Sequence, residues 1–136
     1  LLARIEGRTI KQDFGYTLEG VLRPQLDARA FADPSTSAGP SHPIVRTHPE
    51  SERKCLYLGK RAHAYVNGCT LEESEDILDA LWSHATRDEF AWFNIWQPGD
   101  FLMWDNRSCL HIRNRFGADT RRILHRTQVK GDEAPF

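Results

Sequence analysis

"WDNRSCLHIRNRFGADTRRILHR", residues 104–126, is the stretch on which the fold assignment turns. An apolar run, Phe101-Leu102-Met103-Trp104, leads straight into Asp105-Asn106-Arg107. A lone histidine follows at His111, and Arg122 and Arg126 stand four residues apart. Phe101–Trp104 reads as a buried strand, and residues 121–129 read as the last strand of the chain. Strand parity puts Arg122, Leu124, Arg126 and Gln128 on one face, with Ile123, His125, Thr127 and Val129 on the other. Either face can point inward. If the Ile/Val face is core, both arginines are solvated and carry no function. If the arginines face a cavity, each needs an anion beside it, because a buried charge is costly unless paired. The planar guanidinium fork suits a carboxylate, sulfonate or phosphate and stays charged.

Working outward, residues 90–96 (FAWFNIW) are aromatic and strand-like, and Gln97-Pro98-Gly99-Asp100 carries Pro then Gly where a type II turn favours them. Upstream lies the strongest helix signal. Thr70 followed by Glu73 forms a capping-box pattern, and Leu71, Leu78, Leu81, Trp82 and Ala85 recur at helical spacing. Acidic residues in the first turn suit the helix dipole and read as a solvated face. Residues 44–50 (IVRTHPE) and 54–59 (KCLYLG) read as two short strands around a Pro-bearing turn, and 61–68 as another extended piece. His42 and His48 read as turn residues. Residues 33–43 (DPSTSAGPSHP) form the clearest loop, expected to join elements within one domain or to act as a flap; 28–32 read weakly as a helix end. Short strands between tight turns with one confident helix favour a mainly β (α+β) fold, a sandwich or jelly roll.

At 136 residues the chain fits one domain. Apolar content of 40% and charged content of 27% are ordinary for a globular protein. No run approaches the roughly 20 apolar residues of a membrane span. Leu1-Leu2 is followed by Ala-Arg-Ile-Glu-Gly-Arg, so no signal peptide is expected. The first residue is Leu and the only methionine is Met103, as expected of a processed product or a fragment with its start upstream. Three cysteines without a C-x-x-C pair point to idle thiols in a reducing cytoplasm.

A net charge of −1 argues against a general polyanion binder. The distribution is uneven: residues 71–100 hold eight acids and one base, Arg87, while 101–136 hold seven bases and four acids. The basic end can meet phosphate backbones from a surface, or hold one small anion if its arginines point inward. No H-x-x-x-H or H-x-D pattern accompanies any of the histidines, so no complete metal site is visible.

Three blocks, "HPIVRTHPE" (42–50), "GDFLMWDNRSCLH" (99–111) and "RRILHRTQVKGD" (121–132), resemble in order, spacing and chemistry the C-terminal half of the TauD/TfdA family. These are Fe(II)- and 2-oxoglutarate-dependent dioxygenases. The resemblance covers about residues 42–136 and implies a double-stranded β-helix (jelly roll) with flanking helices, of which residues 1–136 form the C-terminal part of a single domain. It implies that His111 is the distal iron ligand, that Arg122 pairs with the far carboxylate of 2-oxoglutarate, and that Arg126 meets the acidic group of the substrate. Trp96 and Trp104 match aromatic positions near that pocket, and both arginines are then expected to face inward. No protein group beyond these metal and cosubstrate ligands is implied to be catalytic.

The implied reaction hydroxylates a small anionic substrate (a sulfonate, sulfate ester or carboxylate) with O2, releasing CO2 and succinate. Partners are then that substrate and O2, without nucleic acid or membrane, and the resemblance is compatible with a homo-oligomer. The family's upstream H-x-D is absent: Asp13, Asp27 and Asp33 each lack a histidine two residues before them. The 136 residues alone are therefore expected to be inactive. The alternative is a non-catalytic jelly-roll module that uses the arginines to bind a small acid.

Overall fold

A computed structural model describes residues 1–17, 19–114, 117, 119, 121 and 123–131. In chain order the elements are a one-turn helix α1 (Leu2–Ile5), strands β1 (Thr9–Gln12), β2 (Ser41–Pro43), β3 (Val45–Thr47), β4 (Lys54–Leu56) and β5 (Ala64–Val66), and helix α2 (Leu71–Ala85). Single 3-10 turns lie at Ala28–Phe31 and Asp88–Phe90. An antiparallel sheet runs β2-β1-β5, with Ile10 opposite both His42 and Val66, and β3-β4 form a separate hairpin pairing Arg46 with Cys55.

Helix α2 starts where the capping box puts it. Thr70 Oγ1 accepts the Glu73 amide (3.2 Å), and the Glu73 carboxylate accepts the Thr70 amide (2.8 Å), which satisfies amides that the first turn leaves free. Its buried stripe is Ser74, Ile77, Leu78 and Leu81, packed on β5. Ile5, Ile10, Ile44, Leu58, Ala64 and Val66 complete the core. Leu71 departs from expectation. It is 48% exposed, because the first turn of the helix closes on the end of β5 through Ser74, whose Oγ accepts the Val66 amide at 2.9 Å. The acidic face is exposed as read, and on it Glu75 and Asp79 both pair with Arg61.

The loop expected at 33–43 is more ordered than its composition implies. Asp33 caps a turn by accepting the Ser35 amide, Ser37 is buried, and residues 41–43 become the edge strand β2, whose Pro43 sits at its end as an edge strand tolerates. Gly39 has a steric reason to be glycine, since a Cβ there would lie 2.1 Å from the Gln12 carbonyl oxygen.

Beyond residue 90 the expected strands are absent among the described residues. Residues 91–96, 101–104, 121 and 123–129 carry no sheet pairing, and Phe93, Ile95, Phe101, Met103, Ile112 and Val129 are all largely exposed. The turn between the first two segments does form as read, with Gly99 at φ +91° and the Asp100 amide donating to the Gln97 carbonyl at 3.1 Å. The physical reason for the missing strands is that extended apolar chain becomes sheet only when a neighbour supplies ladder hydrogen bonds and a covered face. No such neighbour stands beside these segments among the described residues. Neither face of 123–129 is buried, so the parity question is not resolved by burial. Among the described residues no helix is long and apolar enough to cross a membrane.

Replacing fully buried Leu78 with Ala is expected to lower stability by about 2–5 kcal/mol, as removal of a core leucine does. Leu71→Ala, at an exposed position, is expected to stay within about 0.5 kcal/mol of wild type. Urea unfolding of the two variants checks the assignment of the helix's inner face, and equal losses would contradict it.

Candidate functional site

Asp105 organises the segment that carries the candidate site. Its Oδ1 accepts the Arg107 amide at 2.8 Å, the local bond that makes Asp a turn former, and its carbonyl accepts the Ser108 and Cys109 amides at 3.2 and 3.1 Å. The carboxylate is then gripped from two sides. Arg107 donates from Nε to both oxygens (2.9 and 3.0 Å) and from Nη2 to Oδ2 (2.5 Å), while Arg107 Nη2 also reaches Glu50 Oε1 at 2.9 Å. On the other side His48 Nε2 lies 3.0 Å from Oδ2. His48 Nδ1 faces the Glu50 and Ser51 amides at 3.3 and 3.2 Å, so it is the acceptor, and the ring proton is on Nε2, donated to Asp105. Cys55 Sγ donates to the Arg107 carbonyl at 3.7 Å.

The Arg107 hydrogen bonds, then that of His48, hold the Asp105 carboxyl well below the usual carboxylate range, and the hydrogen bonds to Asp105, then to Glu50, raise the Arg107 guanidinium above its ordinary value. A cavity of about 330 Å³ bounded by His48, Ser51, Arg53, Lys54, Cys55 and Ser108 borders this cluster. It does not include the residues singled out in the sequence.

Those residues meet one residue upstream, at Trp104. The indole Nε1–H donates to Asn106 Oδ1 at 2.9 Å, which fixes the ring's direction. The His111 ring stands 5.1 Å away, centroid to centroid, tilted by 54°. The Arg126 guanidinium carbon lies 5.6 Å from the Trp104 centroid, within cation–π range. Three of the five candidate residues are therefore gathered on one indole. Trp96, 37% exposed, makes no such contact with them among the described residues, and Arg122 lies outside the described residues. Arg126 and His111 are exposed and Trp104 is half-buried, and no sheet stands beside Arg126 among the described residues, so burial does not decide which way it faces.

A facial triad needs three ligands, and the described residues do not provide them: no three His, Cys, Asp or Glu side chains converge. His48-Pro49-Glu50 has the spacing H-x-E, but both nitrogens of His48 are committed to hydrogen bonds and Glu50 is held by Arg107. His111 is the one histidine of the candidate site, and one ligand does not hold catalytic iron. Cys55, Cys69 and Cys109 are free thiols, in line with the absence of a C-x-x-C pair. The role of His48 is what the sequence missed, since its partner is 57 residues away and nothing local marks it as more than a turn residue.

Residues 3–128 match the family model described as "Taurine catabolism dioxygenase TauD, TfdA family". The chain belongs to the TauD/TfdA family. The match reaches well upstream of residue 42, where the resemblance by motif began. The chain is 41% identical over 90 residues to the alpha-ketoglutarate-dependent 2,4-dichlorophenoxyacetate dioxygenase of Cupriavidus pinatubonensis, covering 66% of this chain and 31% of that one. It is 33% identical over 98 residues to the alpha-ketoglutarate-dependent sulfate ester dioxygenase of Pseudomonas putida, covering 72% and 32%. Among solved structures, a crystal structure of AAD-2 in complex with Mn(II) and N-oxalylglycine aligns with a TM-score of 0.55 at 26% identity, over 71% of this chain and 36% of that one. The chain spans about a third of the length of the curated relatives it matches. TauD/TfdA dioxygenases use Fe(II) and 2-oxoglutarate.

Since the folded-state carboxyl of Asp105 is depressed, its contribution is complete above the unfolded value of about 3.9 and is lost as pH falls through the folded value. Asp105→Asn is expected to be less stable than wild type at neutral pH, with the gap closing only below about pH 4. Urea titrations across a pH series read this directly. A gap of the same size in neutral and strongly acidic solution contradicts it.

Proposed function

We propose that this chain serves a 2-oxoglutarate-dependent non-haem iron dioxygenase that hydroxylates a small anionic substrate, a carboxylate, sulfonate or sulfate ester, with release of CO2 and succinate. The observation that carries this is the gathering of His111 and Arg126 on Trp104, inside a family match that runs almost the length of the chain. Relatives acting on a phenoxyacetate and on sulfate esters share an acidic substrate group, which suits a guanidinium.

In this proposal Arg126 binds the acid group of the substrate and Arg122 the far carboxylate of 2-oxoglutarate. Trp104 and Trp96 line the pocket and exclude water, and His111 presents one imidazole to the metal. Fe(II) would supply the oxygen chemistry when bound, and His111 is the one ligand that the described residues would give it. The chain works as the C-terminal part of one jelly-roll domain, an assignment supported by its share of the relatives' length and by the unpaired apolar segments after residue 90. O2 is the further partner, nucleic acid and membrane have no role, a homo-oligomer is compatible, and the free thiols suit a cytoplasmic setting.

A second reading, a non-catalytic module that binds a small acid, is favoured by the absence of a three-ligand cluster among the described residues. The two separate on one assay: the enzyme forms succinate with Fe(II), O2 and 2-oxoglutarate, whereas the module binds the acid and forms none.

Loss of one charge-assisted pair of hydrogen bonds costs about 1.5–3 kcal/mol, or roughly ten- to hundredfold in affinity. Arg122→Leu is expected to weaken 2-oxoglutarate binding by that factor while leaving Fe(II) affinity nearly unchanged. Arg126→Leu is expected to weaken 2,4-dichlorophenoxyacetate or an alkyl sulfate instead. Calorimetric titration distinguishes them, and wild-type affinities in both variants would remove both assignments.

A further inference from the structure

His48 is built into two parts of the chain at once. Its backbone belongs to the β3–β4 hairpin, where its amide donates to the Arg53 carbonyl at 2.9 Å and its carbonyl accepts the Glu52 amide at 2.9 Å. Its Nδ1 takes the two turn amides of Glu50 and Ser51, so the ring is held by its own loop before it meets anything else. That arrangement selects the Nε2–H tautomer and aims the proton at Asp105 Oδ2, 57 residues further on. The ring is 12% exposed, its partner carboxylate 35%.

Two more contacts join the same hairpin to the same turn, Glu50 to the Arg107 guanidinium and Cys55 to the Arg107 carbonyl. The turn they grip, 105–109, separates Trp104 from His111. A chain segment without sheet pairing has no ladder to set its register, so these side-chain contacts are what fix it. The tautomer also excludes His48 as a metal ligand in this arrangement: one nitrogen carries a hydrogen and the other accepts two.

We propose that His48 is a positioning residue for the candidate site: by donating Nε2–H to Asp105 it fixes the 105–109 turn, and through that turn the meeting of His111 with Trp104. The proposal rests on the function proposed above only in treating that meeting as a site; the geometry it predicts is independent of any activity. His48 touches neither His111 nor Arg126, and its effect runs through Asp105.

The test uses the full chain and nuclear magnetic resonance of its imidazole and indole rings. In wild type the 15N shifts are expected to report His48 as the Nε2–H tautomer, with cross-relaxation between the Trp104 and His111 rings. His48→Phe keeps a ring of similar size and removes both hydrogen-bonding nitrogens. It is expected to abolish the Trp104–His111 cross-relaxation while signals of Leu78, Leu81 and Trp82 in the α2 core stay at wild-type positions. His48→Gln, whose amide nitrogen reaches about as far as Nε2, is expected to restore it.

An Nδ1–H tautomer in wild type overturns the proposal, and that measurement needs no variant to fold. Retained Trp104–His111 cross-relaxation in His48→Phe also overturns it, as does a lack of rescue by His48→Gln when the α2 core signals are intact. Titration of the wild-type chain with 2-oxoglutarate separates the two claims. Absence of binding there counts against the function, and the ring measurement still decides the role of His48.

Discussion

The carboxylate of Asp105 is the group on which the candidate site depends. It accepts from Arg107 along one edge and from His48 along the other, while its own carbonyl closes the following turn. Isolated surface ion pairs contribute little, because the charges are already well solvated and the side chains lose entropy when held together. This one differs in being a network: the histidine is pre-aimed by backbone amides, and the arginine is shared with Glu50. Pre-organised donors lose less freedom when the carboxylate arrives, so the network specifies geometry as well as contributing energy.

That specification matters because the two parts of the chain are stabilised by different physics. Up to residue 90 the fold is conventional: a capped amphipathic helix covers β5, and a small aliphatic core is sealed with Ser74 satisfying the Val66 amide. After residue 90 the described residues have no strand pairing and leave large apolar side chains in solvent. Burial therefore does not hold Trp104, His111 and Arg126 near one another. Hydrogen bonds from the β3–β4 hairpin and the orientation of one indole do so. A family member with two further thirds of chain, as the matched relatives have, has the means to cover these segments.

Much of the first part was legible in the sequence because its determinants are local. Thr70 and Glu73 announce the helix start, the strands around His48-Pro49 alternate as short strands do, and Pro98-Gly99 fixes its own turn. The edge strand β2 was hidden by Ser and Pro, whose composition says loop although the backbone groups of 41–43 find partners on β1. The strands read at 90–96, 101–104 and 121–129 failed for the opposite reason. Their apolar character is real, but a strand is a relation between two segments, and the second segment is not found among the described residues. His111, Trp104 and Arg126 were marked as candidates by a motif. His48 was not, since its significance is a contact across 57 residues.

A side-chain clamp, rather than sheet pairing, holds the site-bearing segment to the folded body. Residue-resolved amide hydrogen exchange on the intact chain tests this most directly. Slowed exchange is expected at Arg107, Ser108 and Cys109, whose amides are hydrogen-bonded to Asp105, and fast exchange across Ile123–Val129. Slow exchange across 123–129, with alternate amides protected as in a paired strand, would contradict it.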